Sequence, residues 1–203
     1  MTAEDLYTYL AEKFGLPSVI LCDLHKPCNS PAKRRCGEIL SHKLINFDDV
    51  KSAFQKGKPG PQKASSDGYT FQGEWFCFVE IKGWKDYLKY NPDSPSDDII
   101  SKASEYNLLK KYQDTLYVCQ QITKDDNLFK DKKMAFFLVT DIETNSSGIS
   151  RLAGNLNLLA TKIPSKEDIC NQALSNQLNS IPQNVMKLYV ECCQFDSAIK
   201  KLL

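Results

Sequence analysis

Residues 66–82 read Ser66-Asp67-Gly68-Tyr69-Thr70-Phe71-Gln72-Gly73-Glu74-Trp75-Phe76-Cys77-Phe78-Val79-Glu80-Ile81-Lys82. Gly73-Glu74 splits this stretch into two extended segments. Glycine in the first central position suits a type II′ turn, whose twist matches that of paired strands. A two-residue turn fixes the register. Counting outward pairs 72 with 75, 71 with 76, 69 with 78, and Asp67 with Glu80. Lys82 lies two residues beyond Glu80 on the same face, opposite Ser65.

Like charges directly opposed across two strands are destabilising. Phe76, Cys77, Phe78, Val79 and Ile81 make both faces of the second segment apolar, so Glu80 and Lys82 emerge from a buried strand. Two carboxylates buried together need a cation between them, or a proton on one. Mg²⁺ or Mn²⁺, which prefer oxygen ligands, would meet that need. Lys82 is then placed to stabilise charge developing on a phosphate or to position an attacking water. The plainer alternative is an edge hairpin with a surface Glu and Lys, on which Asp67 merely caps a turn.

Outward from the hairpin, residues 56–66 hold two Pro, two Gly, two Ser and three Lys and read as a loop. Residues 91–96 are a second loop, leading into a long helix from Asp97 to about Thr123 with Leu109, Tyr112, Leu116 and Cys119 on its apolar face. Residues 133–141 form a continuous apolar run, expected as a buried central strand. Upstream, Thr2-Ala3-Glu4-Asp5 resembles a capping box, with Gly15 as the stop of that helix. Residues 17–24 read as a short strand, and Ser30-Pro31 opens a second helix running to about Lys43. Asn145–Gly148 reads as a turn. Helices are expected around 155–162, over 166–178, and from Gln183 to Leu203. This order indicates an α/β layered fold within a single domain spanning residues 1–203.

Ser66-Asp67, then Glu80-Ile81-Lys82 in an apolar strand, then a long helix and another apolar strand, resembles the PD-(D/E)xK nuclease superfamily. The resemblance implies a restriction-endonuclease-like α-β-β-β-α-β core over residues 30–141, a mixed sheet flanked by helices. Residues 1–29 and 142–203 would be additions, bringing extra N- and C-terminal helices. It implies that Asp67, Glu80 and the backbone carbonyl of Ile81 ligate Mg²⁺ or Mn²⁺, and that Asp67, Glu80 and Lys82 form the catalytic set. The family's Pro before the Asp is Ser66 here. Three acid-x-Lys triplets occur, but Asp49-Val50-Lys51 reads as helix and Asp131-Lys132-Lys133 as a loop edge. Only Glu80-Ile81-Lys82 ends a buried strand with an acid opposite.

Many members add a Glu from the first core helix, and Glu38 is the residue in that position. It faces away from the apolar side, where it either looks into a cleft or pairs with Arg34 at i,i+4. Gln113 and Tyr117 resemble the Gln-xxx-Tyr motif of the RecB-like branch; a core glutamine with a satisfied side chain is the competing account. Lys110 and Lys111 lie nearby, available to phosphate or to solvent.

Nine Lys/Arg against three acids over residues 26–63 make a basic stretch in a chain of net charge +1. Lys33, Arg34, Arg35, Lys56, Lys58 and Lys63 are its candidates for gripping a nucleic-acid backbone. The partner expected is therefore DNA or RNA, and a homodimer is a further expectation from the resemblance. With 42% hydrophobic and 25% charged residues, disorder throughout the chain is excluded. No apolar run has the length of a signal peptide core or membrane span, so a soluble cytoplasmic protein is expected, with eight reduced cysteines and no membrane partner. Cys22, His25, Cys28 and Cys36 offer a zinc set but lack a Cys-x-x-Cys knuckle. No phosphate-cradling Gly-rich loop is present, which argues against an NTPase. The function expected is metal-dependent phosphodiester hydrolysis in restriction, defence or repair. The alternative is a nuclease-fold module that binds nucleic acid or a partner protein without cutting.

Overall fold

A computed structural model describes residues 1–24, 40–144 and 164–202 of the chain. The first helix, α1 (Ala3–Phe14), opens on the expected capping box: the Asp5 N–H donates to Thr2 Oγ1 and the Thr2 N–H to the Asp5 carboxylate. It stops at Gly15, whose left-handed φ of 61° costs glycine no steric strain. Next come β1 (Val19–Ile20) and α2 (Leu21–Leu24), so only two residues of the expected 17–24 strand are extended. β2 (Lys43–Asn46) begins at the residue where the second helix was expected to end. Residues 30–39 of that helix lie outside the described residues, as do the expected turn at 145–148 and helix at 155–162.

Asn46 caps α3 (Phe47–Gln55), and the chain returns through the Lys-rich loop to β3 (Gly68–Gln72) and β4 (Trp75–Lys82). The hairpin register is the one read from the turn: Gln72 faces Trp75, Phe71 faces Phe76 and Tyr69 faces Phe78. Gly73 sits at φ 55° and Glu74 is outside the left-handed region, as a type II′ turn requires.

After α4 (Lys85–Tyr90), the expected long helix is two: α5 (Ser96–Ser104) and α6 (Leu108–Thr123). Asn107 breaks it, holding φ 44° while its side chain accepts from the Lys110 N–H as N-cap of the second piece. Asn is one of the few non-glycine residues that visits this region readily. β5 (Lys133–Thr140) is the buried run expected there. α7 (Lys166–Asn179) follows on a Ser165–Asp168 capping box. The C-terminal expectation needs correcting: residues 183–203 are not one helix. They hold β6 (Met186–Glu191), a 3₁₀ turn at Cys192–Gln194 and α8 (Phe195–Lys200).

Among the described residues the strands form one mixed sheet in the order β1-β2-β3-β4-β5-β6. β1 to β4 pair antiparallel, whereas β4–β5 and β5–β6 are parallel. Side-chain alternation along the central strands divides the core in two. Phe76, Phe78, Phe136 and Leu138 pack on one face with residues of α1, α3, α5, α6 and α7. Cys77, Val79, Phe137 and Val139 pack on the other with Leu21, Phe195 and Ile199. The molecule is thus α/β, an open mixed sheet flanked by helices. Among the described residues no helix is long and apolar enough to cross a membrane.

Candidate active site

The even-numbered residues of β4 face α6, so Glu80 and Lys82 continue the line of Phe76 and Phe78 toward the C-terminal end of the strand. Parallel strands end here together, and in open α/β sheets ligands bind beyond such ends. Glu80 is fully buried. Its Oε1 takes two ammonium groups, Lys82 Nζ at 2.5 Å and Lys111 Nζ of α6 at 2.6 Å. Its Oε2 is buried with no hydrogen-bond partner.

Asp67 stands one residue before β3, and the way it gets there explains the site. Ser66 is drawn off toward α6: its N–H donates to Thr115 Oγ1 at 2.9 Å, and its hydroxyl lies 2.9 Å from the same oxygen. That ends the β3–β4 ladder at Gly68–Val79. The Ile81 N–H, left without a strand partner on that side, donates instead to the Asp67 carboxylate at 2.6 Å. In an extended strand the N–H and C=O of one residue project to the same edge, so the Ile81 carbonyl shares the gap where Asp67 sits. The Asp67 backbone carbonyl accepts from the Phe47 N–H at 2.9 Å, which ties the residue to the start of α3. Burial and the neighbouring Asp67 carboxylate hold the Glu80 carboxyl above the usual carboxylate range, with Lys82 and Lys111 working in the opposite direction. Burial would lower Lys111, but the Glu80 and Asp67 carboxylates outweigh it and keep the ammonium charged.

A raised carboxyl favours folding below its unfolded value and loses that contribution as pH rises through the folded value. Glu80→Gln removes this titration. Its stability relative to wild type is therefore expected to improve as pH climbs above the ordinary value of 4.5, read as urea midpoints at pH 4 and pH 8. A difference constant with pH would contradict the burial argument.

Lys82 also lies 4.6 Å from the centre of the Tyr106 ring, which with Trp84 and Tyr87 forms an aromatic wall beyond the strand. Asp141, at the end of β5, holds the start of α4 by accepting from the Trp84 and Lys85 N–H groups. On the other flank, Asp48 of α3 accepts from Lys51 and Ser65, and the Lys111 charge helps to hold its carboxyl low despite burial.

The structure thus brings Asp67, Glu80, Ile81 and Lys82 together. It does not bring Gln113 and Tyr117 to them. Both side chains are exposed, because the buried stripe of α6 runs through Leu108, Tyr112, Thr115, Cys119 and Ile122. Of the face expected from Leu109, Tyr112, Leu116 and Cys119, Tyr112 and Cys119 are buried while Leu109 and Leu116, beside which Gln113 and Tyr117 were placed, are only half-buried. Lys111 belongs to the site instead. It stands one turn from both Leu108 and Thr115, and an ammonium beside a buried stripe calls for a carboxylate partner; that was the available signal.

Lys56 and Lys58 are exposed, with the Lys58 ammonium over the Phe54 ring. Lys63 is half-buried, facing Asp114 at 3.8 Å and the Tyr117 ring. Glu38, Lys33, Arg34 and Arg35 lie outside the described residues, as do His25, Cys28 and Cys36 of the zinc set. Among the described residues no three His, Cys, Asp or Glu side chains gather as a metal cluster. What the gap offers a cation is two carboxylates and a carbonyl. Compared with models of known protein families, with curated proteins and with solved structures, the chain matches none.

Proposed function

We propose that this protein is a divalent-metal-dependent nuclease of the PD-(D/E)xK superfamily, hydrolysing phosphodiester bonds in DNA or RNA. The restriction-endonuclease-like core would be the antiparallel β2-β3-β4 meander, α6, and β5 returning parallel to β4. The observation that carries the reading is the state of Glu80. A fully buried carboxylate has one oxygen held by two ammonium groups and the other without a partner, across a strand gap from a second carboxylate. Leaving a buried acceptor unsatisfied costs about 1–3 kcal/mol or more, a cost expected where function requires it.

The residues fit Mg²⁺ or Mn²⁺. The orphan Glu80 Oε2, the Asp67 carboxylate and the Ile81 carbonyl are hard oxygen donors, and Mg²⁺ characteristically takes only one or two carboxylates besides water and substrate phosphate. When bound, such an ion neutralises the paired acids and makes water a better nucleophile at neutral pH. The chain's own groups do the rest. The Ile81 N–H fixes the Asp67 carboxylate in orientation, so the donors are set before substrate arrives. The Lys82 ammonium, packed against Tyr106, orients the attacking water or stabilises charge gathering on the phosphate oxygens. Lys56, Lys58 and Lys63, on the loop leading into Asp67, hold the flanking backbone by charge.

One observation favours a second reading. Asp67, Glu80, Lys82 and Lys111 balance their own charges without an ion, which suits a catalytically silent module that binds nucleic acid or a partner protein. Incubating labelled DNA and RNA with the protein in Mg²⁺, in Mn²⁺ and in EDTA separates the two. The nuclease reading expects cleavage that EDTA abolishes. Retained binding with no cleavage in either metal selects the silent module.

A further inference from the structure

Two ammonium groups on one carboxylate oxygen do more than balance charge. A divalent ion drawn to Glu80 meets Lys82 and Lys111 already on Oε1, so its entry sets cation against cation at close range. The two lysines are not equivalent. Lys82 is fixed to the same strand and backed by the Tyr106 ring, two residues from its partner. Lys111 reaches Glu80 from α6, and its side chain keeps 22% exposure. It can leave the carboxylate without moving the strand. A leaving ammonium needs a new anion, and a phosphodiester entering the gap supplies one.

We propose that Lys111 is a phosphate-binding residue that couples metal entry to nucleic-acid binding, exchanging Glu80 Oε1 for a substrate phosphate as the ion binds the neighbouring Oε2. This rests on the nuclease reading above. Neither ligand alone gains the full interaction. The ion alone strands Lys111 beside a fellow cation, and the phosphate alone must draw the ammonium from a buried partner. Bound together, each removes the other's obstacle. By linkage, Mn²⁺ tightens the nucleic acid by the factor by which the nucleic acid tightens Mn²⁺. The same exchange gives Lys111 a reason to sit on α6 rather than on the strand with Lys82.

The test uses the full chain and a fluorescein-labelled phosphorothioate oligonucleotide that resists hydrolysis. Its affinity is read by anisotropy with and without Mn²⁺, while Mn²⁺ binding to the protein alone is read by electron paramagnetic resonance. Wild type is expected to bind the oligonucleotide at least about fivefold more tightly with Mn²⁺, at the lower bound of typical coupling between sites. Lys111→Met should bind Mn²⁺ alone more tightly than wild type, and its coupling should fall below about twofold. Lys110→Met, which removes the adjacent ammonium that pairs with Asp114, should behave as wild type. Strong Mn²⁺ binding with no coupling, or full coupling retained in Lys111→Met, overturns the exchange and leaves the nuclease reading intact. Absence of Mn²⁺ binding in wild type and Lys111→Met, with and without oligonucleotide, overturns both.

Discussion

Glu80→Ala and Lys82→Ala are each expected to reduce metal-dependent cleavage by about a hundredfold or more, while circular dichroism remains that of the wild type. Glu80 is the central group. Its loss removes the buried donor and frees both ammonium groups that converge on it. These lysines keep partial exposure, at 15% and 22% of their side chains, so they can turn to water and the fold survives. Lys82→Ala leaves the two acids and the Ile81 carbonyl in place, so Mn²⁺ binding should persist while turnover is lost. Lys82→Arg is not a conservative exchange, because it replaces the compact ammonium on Glu80 Oε1 with a planar fork that spreads the charge. Equal rates in wild type and both alanine variants would reject the assignment of chemistry to this gap.

Phe78→Ala is expected to destabilise the protein by about 3–5 kcal/mol, the usual cost of deleting a buried aromatic side chain. Phe78 is fully buried at the middle of β4, with the rings of Tyr69, Phe129 and Tyr112 at 5.4, 5.9 and 6.0 Å. It joins the hairpin to α6, so the same side chain that supports the core also holds Lys111 opposite Glu80. Domains are typically stable by only about 5–15 kcal/mol, so the urea midpoint should fall by a large fraction of its value. A loss below about 1 kcal/mol would show that α6 does not pack on this strand as described.

The hairpin and its two acids were legible because their geometry is local. A glycine at the first turn position and an unbroken apolar strand determine which side chains meet, and the register of the structure agrees from Gln72–Trp75 to Gly68–Val79. β5 was equally legible, since seven of its eight residues are buried and apolar runs of that length have few other uses. β6 was not. Met186–Glu191 is an edge strand whose side chains, apart from Val190, are half-buried or exposed, and only its pairing with distant β5 makes it a strand. Lys43 was read as the end of a helix for a related reason: the short strand it opens is held by β1 and β3 on either side. Asn107 interrupts the long helix without a Gly or Pro to announce the break. Within α6 the buried stripe takes in Leu108, Thr115 and Ile122 and leaves Leu109 and Leu116 half-buried, so Gln113 and Tyr117 fall outside and Lys111 is found from its contact with Glu80.

The most direct measurement is the position of a bound ion in crystals soaked in Mn²⁺, located by its anomalous scattering. The account predicts a peak in the gap between β3 and β4, within about 2.0–2.3 Å of Glu80 Oε2, an Asp67 carboxylate oxygen and the Ile81 carbonyl. A peak bound elsewhere, or a gap that stays without one at saturating Mn²⁺ and nucleic acid, would contradict it.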